Sequence, residues 1–234
     1  MYVARQHAMG DDDALAVVEQ AGAGQFITAG PNGLNATFVP FNVDRRGEQI
    51  FLQTHLTRVN PQWRDDADTL VVVQGPQARV SGMDLPPETP TQRLPNVPTW
   101  NYVTVHVRGE FTVHDDAEWK TAHLTKLVER FESEWRVGTH SSYELVNNAL
   151  AAMVGVEIRV REIVGKAKLG QNMSPVEIAQ TAEHMRNRDA AAGPVADLME
   201  DIAIPWAQAR EERVEGALSR RTNDSAAEPP RPVD

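Results

Sequence analysis

Residues 99–113 read TWNYVTVHVRGEFTV, and this stretch decides the fold because its side chains alternate with a period of two. Val103, Val105 and Val107 fall on one face, while His106 and Arg108 fall on the other. Successive side chains of a β-strand point to opposite faces, and β-branched residues favour strands. The stretch therefore predicts a long strand with one apolar face and one polar face.

Shorter strand patterns precede and follow this stretch. Turn residues separate them, as in Gly30-Pro31-Asn32-Gly33 and Asp44-Arg45-Arg46-Gly47-Glu48. Short strands at regular spacing, with turn signals between them, are typical of an antiparallel barrel. The other predicted strands cover residues 25–29, 36–43, 49–54, 70–73 continuing at 78–81, and 155–164.

Helical patterns occur in three places, and the first, at residues 11–21, has acidic residues at its start and Gly22 past its end. An amphipathic helix is predicted after Asp115-Asp116, followed by a second one from Ser142, and Ser174-Pro175 opens a capping box with Pro at the first helical position. Residues 222–234 are polar and rich in Pro. The chain is therefore expected to form a β-rich domain at residues 1–173, a helical extension at 174–221 and a disordered tail at 222–234.

Composition narrows the possible functions. The 234 residues are 41% hydrophobic and 24% charged, as in an ordinary globular protein, and the formal net charge is -10. A negative charge disfavours non-specific binding to nucleic acid and to anionic lipid. The chain contains no Cys, which excludes disulfides and thiol catalysis. The N-terminus has no apolar signal-like region, so a cytoplasmic location is expected.

Two strand ends carry candidate binding groups. In residues 53–63, QTHLTRVNPQW, an apolar strand is followed by Arg58, a planar donor suited to phosphate, with the Thr54 and Thr57 hydroxyls close by. Gln171 and Asn172 follow the last strand and can donate amide hydrogen bonds to a phosphate or a flavin edge. The alternative is a solvated Arg at the first strand end and a plain turn at the second.

Other chemistries have little support in the sequence. Neither a Gly-x-Ser-x-Gly motif nor a Gly-rich phosphate loop occurs. The seven histidines show no helical zinc spacing, so no metal site is expected, although axial haem ligation by one His stays open. No basic recognition helix is present, which makes direct DNA binding doubtful.

Four segments together resemble the PaiB family of FMN-binding split-barrel proteins, which are known as negative transcriptional regulators. They are residues 1–3 (MYV), residues 55–63 (HLTRVNPQW), residues 97–109 (VPTWNYVTVHVRG) and residues 168–172 (KLGQN). The similarity extends over roughly residues 1–182. The chain departs from the family pattern at Phe38, where the family has His, and at Gly170, where it has Ser.

The resemblance implies a mainly β fold with added helices: a six-stranded antiparallel split barrel that forms a homodimer, holds FMN at the subunit interface and continues into the C-terminal helical extension. It also implies a set of cofactor-binding residues. Arg58 would bind the phosphate, Pro40 would press on the ring system, and Thr99 to Asn101 would close the site. The complete set is Pro40, Thr54, His55, Thr57, Arg58, Asn60, Thr99, Trp100, Asn101, Gln171 and Asn172.

Two functions follow from this resemblance. The first is a flavin-linked transcriptional regulator, in which the apolar stripe from Val195 to Ile202 either binds a partner or, as we expect, packs back on its own barrel. The alternative is a flavin-dependent oxidoreductase acting on a small molecule under the loop at residues 83–98, with His55 or His106 as acid or base. The sequence assigns no catalytic residue.

Overall fold

In the described part of the chain, seven strands form one antiparallel sheet in the order β2-β1-β5-β6-β7-β4-β3. The computed structural model describes residues 1–31, 33–88 and 95–226, with side chains described through Ser219. The strands are β1 (Ala23–Gly30), β2 (Gly33–Pro40), β3 (Asn42–Arg46), β4 (Gln49–Thr57), β5 (Asp68–Val80), β6 (Thr99–His114) and β7 (Met153–Lys168). The predicted mainly β split-barrel fold with added helices is confirmed.

The strand count is a correction, because the sequence predicted six strands. The predicted strand at residues 36–43 is two strands, which separate at Phe41. The Phe41 side chain is 1% exposed and its N–H donates to the carbonyl of Gly22 (2.8 Å), outside the ladder between β2 and β1. Burial of this aromatic ring turns the chain, so that β2 pairs with β1 and β3 pairs with β4.

The long strand β6 has the predicted alternation. Val103, Val105 and Val107 are at most 1% exposed. Gly109 is required on this strand because a Cβ there would lie 2.3 Å from the carbonyl oxygen of Arg159. The sheet backbone therefore approaches closely at a residue without a side chain.

Two compact units make up the chain. The first contains residues 1–3, 8–75 and 103–166, and the second contains residues 4–7, 76–102 and 167–234. In the first unit, helix α1 (Asp11–Ala21), helix α2 (Ala117–Phe131) and helix α3 (Tyr143–Ala151) accompany the sheet. Its core is apolar, and its large buried side chains include Phe26, Phe41, Leu52 and Ile158.

The second unit contains the C-terminal helices: α4 (Pro175–Arg188), α5 (Gly193–Leu198) and α6 (Ile204–Ala226), with a π-helical turn at Met199–Ala203. Ser174 and Glu177 form the predicted capping box at the start of α4. On the stripe predicted from Val195 to Ile202, Val195 and Met199 are buried, whereas Ile202 is 38% exposed.

The end of the chain differs from the prediction in one respect. Helix α6 continues to Ala226, so residues 222–226 are helical where a disordered tail was predicted. The rest of that tail, residues 227–234, lies outside the described residues, as do Asn32 of the predicted turn and residues 89–94 of the predicted loop. The predictions for those residues stay predictions.

Candidate functional site

Arg58 follows β4, as expected, and its guanidinium group is bound within the first unit. It donates two parallel hydrogen bonds to the Asp115 carboxylate, at 2.9 and 2.5 Å, and two more to the carbonyls of Ala151 and Met153, both at 3.0 Å. The fork expected to face a phosphate therefore faces a carboxylate. The hydrogen bonds from Arg58 and Lys120 hold the pKa of the Asp115 carboxyl well below its usual range.

The neighbouring motif residues also have internal partners. Thr54 is fully buried, and its hydroxyl donates to the carbonyl of Pro40 (2.7 Å). The Asn60 side chain accepts from the N–H of Gln62 (3.0 Å) and caps the short 3-10 helix Pro61–Arg64. Pro40 and Thr57 are exposed. The Asn-Pro-Gln motif is thus largely a structural device that ends β4.

His55 belongs to a cluster of rings between β4 and α2. Its Nδ1 lies 3.0 Å from Nε2 of His123, a buried residue of α2. Trp119 stacks between two histidines, with its ring centroid 4.4 Å from that of His114 and 5.3 Å from that of His123. Gly155 of β7 makes room for this stack, because a Cβ there would lie 2.2 Å from the Trp119 ring.

The hydrogen bonds in this cluster determine its neutral tautomers. The Asn42 side-chain amide lies 3.4 Å from Nδ1 of His123, and an amide N–H₂ can only donate. Nδ1 of His123 therefore accepts, and its Nε2 carries the proton that is donated to Nδ1 of His55. Burial, with His55 and Lys126 nearby, lowers the pKa of His123 to about 3, and burial also lowers the pKa of His55.

A carboxylate lies on the other side of the ring stack. Glu157 of β7 is 9% exposed, accepts from Arg46 (2.5 Å) and Gln53 (2.8 Å), and lies 3.9 Å from Nε2 of His114. Burial opposes ionisation of Glu157, but the hydrogen bonds from Arg46 and Gln53 outweigh it and lower the pKa. The cluster therefore places the neutral His123 imidazole and an ionised carboxylate near one tryptophan.

The remaining predicted residues lie in the second unit. Lys168 donates to the hydroxyl of Thr99 (2.9 Å) and to the carbonyl of Trp100 (2.7 Å), which joins the ends of β6 and β7. The Trp100 ring is 47% exposed, and its N–H donates to Gln77 (3.1 Å). Asn172 is exposed.

Two of the predicted amides in the second unit are buried. Asn101 is 2% exposed, and its side-chain N–H₂ lies 3.3 Å from the sulfur of Met199 in the C-terminal helices. Gln171 is 1% exposed, accepts from the N–H of Leu169 (2.8 Å) and donates to the carbonyl of Ala167 (2.7 Å). Both amides therefore stabilise the end of the sheet and its helical cover within this unit.

Comparison with known proteins places these motifs in a family. Residues 1–162 match the family model described as "Putative FMN-binding domain", which covers more than half of the chain. The chain belongs to this family. It is also 29% identical over 194 residues to Protease synthase and sporulation protein PAI 2 of Bacillus subtilis (strain 168), covering 79% of this chain and 88% of the relative.

A solved structure supports the fold of this family member. The flavocytochrome Anf3 from Azotobacter vinelandii superimposes with a TM-score of 0.51 and 15% identity, over 72% of this chain and 73% of that one. The FAD and heme binding protein from Mycobacterium smegmatis gives a TM-score of 0.48 and 15% identity, over 71% of this chain and 75% of that one.

Membership of this family supports FMN as the cofactor. Only some of the predicted binding residues have side chains that are free to contact it. The Thr57 hydroxyl and the Asn172 amide are exposed. By contrast, Thr54 and Gln171 are buried and hydrogen-bonded, and the Arg58 fork is occupied by Asp115. These three side chains are therefore bound within the chain and are not free to bind FMN. The assignment of the predicted residues to the cofactor stays a prediction.

Sequence reasoning missed the ring cluster, although a signal for it was present. Trp119 and His123 are four residues apart on an amphipathic helix, so they lie on the same side of α2. Their contact with His55 depends on tertiary pairing, which the spacing does not show. Among the described residues, no group of three or more His, Asp or Glu is arranged to hold a metal ion. In the same part of the chain, no helix is long and apolar enough to cross a membrane.

Proposed function

We propose that this chain is a flavin-linked transcriptional regulator of the PaiB type that works as a homodimer. The observation that carries the proposal is the match to the FMN-binding family together with the relative from Bacillus subtilis, whose name refers to sporulation. A cytoplasmic location, as expected from the sequence, is part of the same proposal.

An exposed apolar sheet face supports the dimer. On edge strand β2, Leu34 is 80% exposed and Phe38 is 65% exposed. The same face of the sheet continues across β1 and β5. Phe38 pairs with Gln25 of β1, and Gln25 pairs with Val72 of β5. Apolar side chains on a solvent-facing sheet edge favour association. A second copy of the chain is the occupant that we propose, and Phe38→Lys should shift the mass in solution from dimer to monomer.

Binding of FMN would have to draw Arg58 away from Asp115 or use donors from the second copy. The test is a titration of the purified protein with FMN, followed by quenching of flavin fluorescence. Arg58→Gln should weaken binding at least tenfold, since a charged hydrogen bond to a phosphate contributes about 1.5–3 kcal/mol. The matched control is Arg45→Gln, which removes an Arg from an exposed pair with Glu19. If both variants bind FMN as tightly as the unaltered chain does, Arg58 is not part of the FMN site.

The regulatory role needs a separate measurement. The net charge of -10 opposes direct DNA binding, so we propose that the regulator acts through a partner. Transcript levels in the host should change when the gene is deleted and return with the unaltered chain but not with Arg58→Gln. A deletion that leaves all transcripts unchanged would contradict the regulatory role while leaving flavin binding intact.

The second candidate is a flavin-dependent oxidoreductase, favoured by the His55–His123 pair. Buried titratable groups with shifted pKa values occur often at catalytic sites. The test is anaerobic addition of NADH or NADPH to the protein with FMN. If the flavin bleaches rapidly and His55→Gln slows the bleaching, the protein is an enzyme. If the flavin stays oxidised, the result supports the regulator.

A further inference from the structure

Lys120 of helix α2 is a buried cation next to Arg58. Its side chain is 5% exposed, and its Nζ donates to Oδ1 of Asp115 (3.0 Å) and to the carbonyl of Leu150 (2.9 Å). Arg58 donates to the same Oδ1 (2.5 Å), so that two cations share one carboxylate. A Lys side chain is rarely buried unless a charged group pairs with it. In the described part of the chain, neither cation has a second carboxylate partner.

The two cations are anchored to the backbone, whereas the carboxylate is not. Arg58 donates to the carbonyls of Ala151 and Met153, both at 3.0 Å, and Lys120 has its own carbonyl partner. Among the described residues, the Asp115 carboxylate accepts hydrogen bonds from Arg58 and Lys120 alone. The Asp115 side chain is also the most exposed of the three, at 55%. The carboxylate can therefore rotate into water while both donors keep their backbone anchors.

Charge favours a phosphate over a carboxylate at these donors. The Arg58 guanidinium and the Lys120 ammonium carry two positive charges, and the ionised Asp115 carboxylate neutralises one of them. A phosphate monoester carries a charge of about −1.5 to −2 at pH 7 and has three acceptor oxygens. It can accept the parallel hydrogen bonds of an Arg and the hydrogen bond of a Lys at the same time. One phosphate would therefore satisfy and neutralise both cations.

We propose that Asp115 is a built-in competitor for the phosphate group of a ligand. In the free chain it occupies the donors of Arg58 and Lys120, and a phosphate monoester displaces it. The choice of FMN as this monoester rests on the proposed flavin function. The site then selects ligands by charge, because a dianion neutralises both cations and the carboxylate neutralises one. Riboflavin, which is FMN without its phosphate, would leave Asp115 in place.

The test compares FMN with riboflavin in titrations followed by quenching of flavin fluorescence. Asp115→Asn removes the competing charge and should tighten FMN binding about fivefold, the factor that corresponds to one exposed ion pair. Lys120→Met keeps the apolar stem and removes the ammonium, so it should weaken FMN binding at least about tenfold. Neither variant should change the affinity for riboflavin, because riboflavin has no group for these donors.

The matched control is Asp44→Asn. Asp44 also pairs with an Arg and a Lys of the first unit, namely Arg46 and Lys126, so its replacement removes the same kind of contact elsewhere. Both flavin affinities should stay as in the unaltered chain. Circular dichroism checks the folding of each variant, and Asp115→Ser takes the place of Asp115→Asn if the Asn variant does not fold.

The outcomes separate this proposal from the flavin function. If the unaltered chain binds FMN and Asp115→Asn binds it no more tightly, the competition is overturned while the flavin function stands. If no variant binds either flavin, the flavin function fails and inorganic phosphate becomes the probe. At constant ionic strength, phosphate should then raise the urea midpoint of Asp115→Asn more than that of the unaltered chain, because a ligand of the folded state stabilises it. Equal shifts, or none, would overturn the competition as well.

Discussion

Acid should destabilise this protein through His123, well above the pH at which its carboxylates protonate. The ring is 2% exposed and donates to a second neutral imidazole, so the folded state resists protonation and the pKa falls to about 3 from an ordinary value of 6.5. A depressed His pKa means that the unfolded chain binds the proton more tightly. Stability is therefore complete above pH 6.5 and decreases as the pH falls from 6.5 towards 3.

The magnitude follows from the two pKa values. At pH 5, an unfolded pKa of 6.5 and a folded pKa of about 3 give a loss of about 2 kcal/mol in the free energy of unfolding. Burial lowers the pKa of His55 as well, which adds a loss of the same sign. The carboxyl pKa values of Asp115 and Glu157 are below their ordinary values, so their contributions are lost only at lower pH. The interval from pH 7.5 to pH 5 therefore isolates the histidines.

The assay is urea unfolding at pH 7.5 and pH 5, followed by circular dichroism. A loss of 2 kcal/mol lowers the midpoint by about 1 M urea at a typical slope. His123→Gln cannot take up a proton, so it should reduce the difference between the two pH values by about 2 kcal/mol, whatever it does to stability at pH 7.5. His140→Gln, at an exposed histidine, is measured beside it as the control. If His123→Gln keeps the full pH dependence, the buried neutral pair is not its cause.

Two further changes test the packing of each unit. Gly155→Ala would place a Cβ 2.2 Å from the Trp119 ring and should lower the free energy of unfolding by about 1–3 kcal/mol. The control Gly193→Ala, with nothing within 4 Å of the added Cβ, should cost less than about 1 kcal/mol. Equal costs would contradict the ring stack. The Asp84 carboxylate is 2% exposed and accepts from Arg188 at 2.8 Å. Arg188→Gln removes this cation and should lower the free energy of unfolding by about 3–5 kcal/mol. Recovery on adding Asp84→Asn would identify the unpaired charge as the cause.

The sequence predicted features that depend on local periodicity better than features that depend on distant partners. The alternation of residues 99–113 corresponds to β6, and the Ser174 capping box corresponds to the start of α4, because both signals lie within a few residues. The break at Phe41 was missed, since a single aromatic residue inside an apolar run does not show which way its ring points. The pairing of Arg58 with Asp115 joins residues far apart in sequence, and no spacing rule contains it.

The segment at residues 53–63 therefore carries more information about the fold than about the site. Asn60 caps a turn by accepting from the N–H of Gln62, Thr54 ties β4 to the end of β2, and Arg58 joins the end of β4 to Asp115. Each of these contacts needs the same side chain whether or not the chain binds a cofactor. A family match transfers the architecture securely, whereas function has to be argued from the groups that stay free to act. Only a variant such as Arg58→Gln, measured for stability and FMN affinity together, separates the two roles. A loss of stability without a loss of affinity would make the motif structural alone.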